Sequence, residues 1–188
     1  MLTKVTAAVV STIALGLVLA AVAGGQDEPQ LCFGATPTIT GSGTIVGTGG
    51  DDVIVGSAGD NTILAGDGNE KVCGGNGDDD LRGEGGNDRM TGENGADEVR
   101  GQQGNNEVYG GNGDDLVGGG PGVDLVFGEN GNDVLLGGFG NGDSVVGGRG
   151  DDSLFGGPGA ADSCDGGPGE DTAETTGLEA CEVVSEVP

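Results

Sequence analysis

Glycine returns at every ninth residue from Gly50 to Gly131 without a gap. The period divides the stretch from Gly47 to Leu136 into ten units of nine residues. They start at Gly47, Gly56, Ala65, Gly74, Gly83, Gly92, Gly101, Gly110, Gly119 and Gly128. In a chain with 46 Gly among 188 residues, ten glycines in one column have a chance of about one in a million. A disordered, acidic, glycine-rich chain is the plain alternative for this composition. It would show no such column.

The other columns are equally regular. Position 6 holds Asp52, Asn61, Glu70, Asp79, Asp88, Asp97, Asn106, Asp115, Asp124 and Asp133. Position 8 holds Ile54, Ile63, Val72, Leu81, Met90, Val99, Val108, Val117, Val126 and Leu135. Looser units follow, with Asp143 and Val145, then Asp152 and Leu154, then Asp162, then Asp171. The units Gly137–Val146 and Gly156–Asp165 each carry one extra residue. Thr38–Val46 reads as a degenerate first unit, with Gly43 where the acid should be. Asn76, Asn94, Asn112 and Asn130 recur every eighteen residues. That doubled period predicts two units per coil and an Asn ladder along one edge.

Each column has a physical task. Glycines at positions 1 and 4 permit left-handed backbone and a tight turn. Positions 7 to 9 predict a very short strand, with position 8 inward and its neighbours outward. The result is a thin aliphatic core without room for aromatics. Aromatic content of 3% and the absence of Trp agree with it. Pro121, Pro158 and Pro168 all fall at position 3, in turns.

The unit G-G-x-G-x-D-x-U-x, with U aliphatic, resembles the RTX nonapeptide of calcium-binding parallel β-rolls. The resemblance covers about Gly47 to Glu174. It implies an all-β, right-handed parallel β-roll, a β-solenoid with two repeats per coil, that binds several Ca²⁺ ions. The family's Gly at position 2 is replaced here by Thr48, Ser57, Glu84, Glu93, Gln102 or Glu129 in six of the ten regular units. From Thr38 to Glu174 the array predicts roughly 7.6 coils and a rod of about 36 Å.

The position-6 column names the candidate metal ligands, from Asp52 through Asp133 and on to Asp143, Asp152 and Asp162. A carboxylate from each of two stacked turns, with turn carbonyls, makes the all-oxygen set that suits Ca²⁺. The strongest expected pairs are Asp79 with Asp97, Asp97 with Asp115, Asp115 with Asp133, Asp88 with Asn106, Asn106 with Asp124, Asp124 with Asp143, and Asp133 with Asp152. Asn61 with Asp79 and Glu70 with Asp52 or Asp88 are weaker pairs, because Asn lacks the charge and Glu is a methylene longer. An EF-hand fails at Asp78–Asp80, since Arg82 and Arg89 occupy ligand positions. Without the ion, carboxylate repulsion opposes a thin core, so folding is expected to depend on calcium.

Composition excludes several functions. The chain has no His, which removes Ser-His-Asp and Cys-His catalysis. A net charge of −26 repels phosphate and argues against nucleic acid. Acids alone can serve a glycosidase, but the repeat accounts for every acid column. The expectation is a non-enzymatic protein.

The ends carry their own signals. Lys4, an apolar run to Ala23 and the motif Ala21-Val22-Ala23 describe a secretory signal peptide, residues 1–23. An uncleaved membrane anchor is the competing reading. Residues 24–37 form an N-terminal segment, 38–174 the roll, and 175–188 a C-terminal cap or tail. Cleavage implies a secreted chain with no membrane contact. Cys32, Cys73, Cys164 and Cys181 imply disulfides, with three possible connectivities. Pairing 32–73 and 164–181 is preferred, because it pins a cap at each end of the solenoid. Cys164 is placed at the end of a late unit. This Cys placement also resembles small secreted calcium-binding repeat proteins of actinobacteria. Outward positions turn apolar late in the array, near Leu116, Phe127, Leu136 and Phe155. They are covered by the tail or ordinary packing, or they contact a cell-envelope component. A calcium-stabilised structural or adhesive envelope protein is therefore the second functional expectation.

Overall fold

The computed structural model describes residues 30–173 and 181–183. The expected signal peptide and most of the expected tail lie outside the described residues. All regular structure among the described residues is β-strand.

Numbered along the chain, the odd strands form one parallel sheet of nine. They are β1 (Ile39–Thr40), β3 (Val53–Val55), β5 (Lys71–Asn76), β7 (Arg89–Asn94), β9 (Glu107–Asn112), β11 (Leu125–Asn130), β13 (Ser144–Arg149), β15 (Ser163–Asp165) and β17 (Glu182–Val183). The even strands form a parallel sheet of eight. They are β2 (Thr44–Val46), β4 (Thr62–Asp67), β6 (Asp80–Gly85), β8 (Glu98–Arg100), β10 (Leu116–Gly122), β12 (Val134–Gly140), β14 (Ser153–Phe155) and β16 (Thr172–Ala173). Successive units thus alternate between sheets, and each coil takes two units. The fold is a parallel β-roll.

Register follows the repeat. Val72 pairs with Met90 and Met90 with Val108, eighteen residues apart. From Leu125 the partner is nineteen residues on, as in Leu125 with Ser144. The two ten-residue units cause this shift. Their extra residues, Gly142 (φ 85°) and Ala161 (φ 68°), sit in left-handed backbone just before Asp143 and Asp162. The insertion is absorbed in the turn, and the inward column is kept.

Position 8 is the core. Ile54, Val72, Met90, Val108, Val126 and Val145 from the odd sheet face Ile63, Leu81, Val99, Val117, Leu135 and Leu154 from the even sheet. All are at most 1% exposed. Each coil supplies only two such side chains, so the hydrophobic effect acts on a narrow strip.

Many strands run past position 9 into position 3 of the next unit, as in β5 and β7. Their ladder continues through the turn, with Gly75 opposite Glu93 and Asn76 opposite Asn94. The four position-2 residues Glu84, Glu93, Gln102 and Glu129 keep the turn by adopting φ between 67° and 77°. Thr48 and Ser57 do not adopt positive φ. The Asn ladder forms as expected: Asn94 Nδ2 donates to Asn76 Oδ1 (3.1 Å), Asn112 to Asn94 (2.9 Å) and Asn130 to Asn112 (3.0 Å).

Both preferred disulfides are present, with Cα–Cα separations of 5.7 Å for Cys32–Cys73 and 5.4 Å for Cys164–Cys181. They do different work. Cys164 lies opposite Val145 in the inward column of β15, not at the end of its unit. Its bridge to Cys181 sits in the core and closes the C-terminal end. Cys73 is at position 9, on the outer face of β5. Its bridge packs Cys32 and Phe33 against Val53 and Val55 on that face. It straps the N-terminal segment along the odd sheet rather than over the open end. Phe33 continues the strap, with the Arg89 guanidinium 4.2 Å from its ring centre. Tyr109 stacks on Phe127 beyond it, at 4.8 Å.

Candidate metal centre

Side chains alternate along a strand, so position 6 points inward like position 8. It does so where the turn enters the strand. Thirteen polar side chains are buried among the described residues, and all thirteen are the position-6 residues from Asp52 to Asp162. They form two columns. Asp52, Glu70, Asp88, Asn106, Asp124, Asp143 and Asp162 precede odd strands. Asn61, Asp79, Asp97, Asp115, Asp133 and Asp152 precede even strands. Asp171, which sequence reasoning left out of the ligand set, extends the second column: its Oδ1 accepts the N–H of Asp152 at 2.9 Å.

Each column is a ladder along the roll. Oδ1 of one residue accepts the backbone N–H of its counterpart one coil earlier. In the even column Asp79 receives Asn61 (2.7 Å), Asp97 receives Asp79, Asp115 receives Asp97 and Asp133 receives Asp115, each at 2.8 Å. In the odd column Asp88 receives Glu70 (3.0 Å), Asn106 receives Asp88 (2.9 Å) and Asp124 receives Asn106 (2.7 Å). Every adjacent pair expected from the eighteen-residue spacing is therefore stacked. The link is missing between Asp52 and Glu70 alone, because neither carboxylate oxygen of Glu70 accepts the N–H of Asp52.

A second ladder runs beside the first with opposite polarity. At position 5, Oδ1 accepts the N–H of the counterpart one coil later. Asp60 receives Asp78 (3.1 Å), Asp114 receives Asn132 (2.8 Å) and Asp151 receives Glu170 (2.9 Å). Sequence reasoning assigned position 5 no role. Its run of Asp and Asn was the available signal. These side chains are exposed, and their Oδ1 atoms tie coils together from the solvent side.

The inner column is different. With Oδ1 engaged, Oδ2 of Asp79, Asp88, Asp97, Asp115, Asp124, Asp133, Asp143 and Asp152 is buried without a hydrogen-bond partner. Both carboxylate oxygens of Glu70 are in the same state. Backbone carbonyls share this space. A Cβ on Gly83, Gly128 or Gly147 would meet Oδ2 of Asp88, Asp133 or Asp152, and also the carbonyl of the glycine one coil on. Position 1 is glycine because that space belongs to oxygen atoms. The basic side chains are elsewhere: Arg82 pairs with Asp80 at 2.7 Å and Arg89 with Glu107 at 3.0 Å, on the outer faces.

Buried, unpaired carboxylate oxygens facing carbonyls demand a proton or a cation. Burial pushes Asp115 and Asp124 up to about 7, and Asp97 and Asp133 up to about 6. The coil-to-coil N–H bonds oppose the shift, and neighbouring carboxylates add to it. Glu70 is raised to about 8, by burial and then by Asp88. Asp52 alone is lowered, by the N–H and hydroxyl of Thr48.

The sign of the pH dependence follows. These acids have folded pKa values above their unfolded value of 3.8, or 4.5 for Glu70, so the folded chain binds more protons at intermediate pH. Their contribution to the ion-free roll is complete near pH 4 and lost as pH rises through about 6 to 8. In chelator, the roll is expected to melt at a higher temperature at pH 5 than at pH 8. Saturating calcium inverts that order, because protons then compete with the ion. Melting curves at the two pH values, with and without chelator, check both halves.

The oxygen-only donor set fits a hard cation of calcium's size, which accepts six to eight carboxylate and carbonyl oxygens. It offers no nitrogen or sulfur ligand for a transition metal. No cluster of three or more His, Cys, Asp or Glu side chains converges on one point among the described residues. Each point instead combines a carboxylate with carbonyls. The model of the RTX calcium-binding nonapeptide repeat matches residues 39–72, 46–81, 74–108, 91–126, 109–143 and 138–173. The chain belongs to the RTX calcium-binding nonapeptide repeat family. The matched RTX repeats span the described roll from β1 to β16. No curated protein matches the chain.

Proposed function

We propose that this RTX protein is a secreted, non-enzymatic calcium-binding module whose roll forms on binding several Ca²⁺ ions. The row of buried Oδ2 atoms without partners carries the reading. Glu70, Asp79, Asp88, Asp97, Asp115, Asp124, Asp133, Asp143 and Asp152 would hold the ions, with turn carbonyls. Calcium supplies the positive charge that these oxygens lack. The chain's own residues supply the spacing: the Oδ1 ladder holds each carboxylate at coil distance, with Oδ2 turned to the turn carbonyls. The full layout is a signal peptide at 1–23, a strap segment at 24–37, the roll at 38–174 and a cap at 175–188. Two disulfides support an oxidising, extracellular location. The absence of His and the engagement of the inner acids from Asp79 to Asp171 in coil-to-coil ladders support a role without catalysis.

Calorimetric titration of the mature chain is the test. Calcium is expected to bind at several sites with gain of β-structure by circular dichroism. Magnesium is expected to replace it poorly, because it holds its waters and demands octahedral geometry. Absence of calcium binding would overturn the proposal.

One observation favours a structural or adhesive envelope role for the same module. Leu116, Val134 and Leu136 are 38–40% exposed and adjacent on the outer face of the even sheet. Binding to cell-wall material that is lost on Leu136→Ser would support that second reading.

A further inference from the structure

Three turns differ from the rest. At Asn106, Oδ1 accepts the N–H of Asp88 at 2.9 Å, as an aspartate would. That bond fixes the orientation of the amide, so Nδ2 takes the place of the unpartnered Oδ2. It donates to the carbonyls of Gln102 (3.2 Å), Gly104 (3.4 Å) and Gly119 (3.3 Å). These carbonyls lie four and two residues before Asn106 and thirteen after it. At Asn61, Nδ2 donates to the matching carbonyl of Gly59 and to Asp79 Oδ1 at 3.0 Å. The Ser57 hydroxyl, from position 2, bonds Asn61 Oδ1 at 3.1 Å. At Asp52, Oδ2 receives both the N–H and the hydroxyl of Thr48 at 2.7 Å. Oδ1 receives the Thr38 hydroxyl at 3.2 Å. None of these three side chains has an unpartnered buried atom.

We infer that the turns at Asp52, Asn61 and Asn106 are closed by protein hydrogen bonds in the space where other turns leave oxygen atoms for calcium. This rests on the calcium reading and refines it. The ion rows begin at Glu70 and Asp79, and the odd row is interrupted at Asn106. The first coil is an ion-independent seed, strapped by Cys32–Cys73, on which the calcium-requiring coils stack. Thr48 and Ser57 at position 2, and Asn at position 6, mark the closed turns. An N–H donor satisfies the carbonyls that a cation would otherwise bind.

The test counts ions on the full disulfide-bonded chain by native mass spectrometry in calcium. Asn106→Asp removes the amide donors and is expected to bind one more ion than the parent chain. Asp115→Asn installs the same amide in the even row and is expected to bind one fewer, with the roll retained by circular dichroism. The same count as the parent in either variant overturns the inference. A parent chain that binds no calcium overturns the calcium reading and this inference together. Hydrogen exchange in chelator gives an independent readout. Amides of the first coil, paired as in Thr62 N–H to Gly43 O, are expected to stay protected longer than those of β10 and β12. Uniform exchange along the roll would overturn the seed.

Discussion

Stripped of calcium at neutral pH, the disulfide-bonded chain is expected to lose most of its β-structure and regain it on addition of millimolar calcium. The cause is the spacing of the inner acids. Stacked coils lie about 4.8 Å apart. At an effective dielectric of about 20, a pair of charges at that spacing repels by about 3 kcal/mol. Asp79, Asp97, Asp115, Asp133 and Asp152 form four such neighbouring pairs in one column. Against this stand only two core side chains per coil. An ion present at a hundred times its dissociation constant adds about 2.7 kcal/mol per site, and it also removes the repulsion. Far-UV circular dichroism with and without chelator reads the effect. A spectrum unchanged by chelator at pH 8 would show that the two ladders and the disulfides suffice.

Gly113→Ala is expected to destabilise the calcium-loaded roll by about 3 kcal/mol or more, and Gly118→Ala to leave it equally stable or slightly more stable. Gly113 sits at position 4 with φ 131°, and a Cβ there would overlap the carbonyl oxygen of Gly95 one coil earlier. A residue with a side chain meets both an unfavourable dihedral, costing on the order of 1–3 kcal/mol, and backbone that is held in a ladder. Gly118 is five residues away at position 9, where a Cβ would meet nothing within 4 Å. Its change to Ala removes unfolded-state freedom and is expected to gain up to about 1 kcal/mol. For a chain of this size, 3 kcal/mol lowers the melting temperature by roughly 6–12 °C. Thermal melts of both variants in saturating calcium make the comparison. Equal melting temperatures would mean that position 4 tolerates a side chain and that coil contact there is loose.

Much of the site could be read before any coordinates. The eighteen-residue spacing correctly stacked Asp79 on Asp97 and Asp88 on Asn106, because the parallel register of a two-unit coil equals the repeat length. Asp171 was visible in its unit but lay beyond the strictly periodic stretch. The position-5 ladder was not read, although Asp or Asn fills eight of its ten regular places, with Ala96 and Val123 as the breaks. Exposure to solvent hid its role, since a solvated acid edge and a coil-linking acid edge have the same composition. Asn61 and Asn106 were grouped with the ligands, because a column of Asp and Asn does not reveal which side-chain atom faces the carbonyls. That depends on the N–H of Asp88, which comes from another coil.

The period by itself determined the architecture. Glycine at positions 1 and 4 sets the turn, the aliphatic at position 8 sets the inward face, and the doubled period sets the coil. These are local constraints, repeated until one fold satisfies them all. Tertiary structure alone decided what the two disulfides do. Cys73 and Cys164 differ only in column, yet one strap lies on an outer sheet face and the other bridge lies in the core. It also decided which polar atoms have partners. Each inner aspartate from Asp79 onward is satisfied on one side by the coil before it, and at Gly83, Gly128 and Gly147 its free oxygen shares its space with a carbonyl of the next coil. Contacts across eighteen residues therefore divide the open turns, which ask for calcium, from those that the chain closes itself.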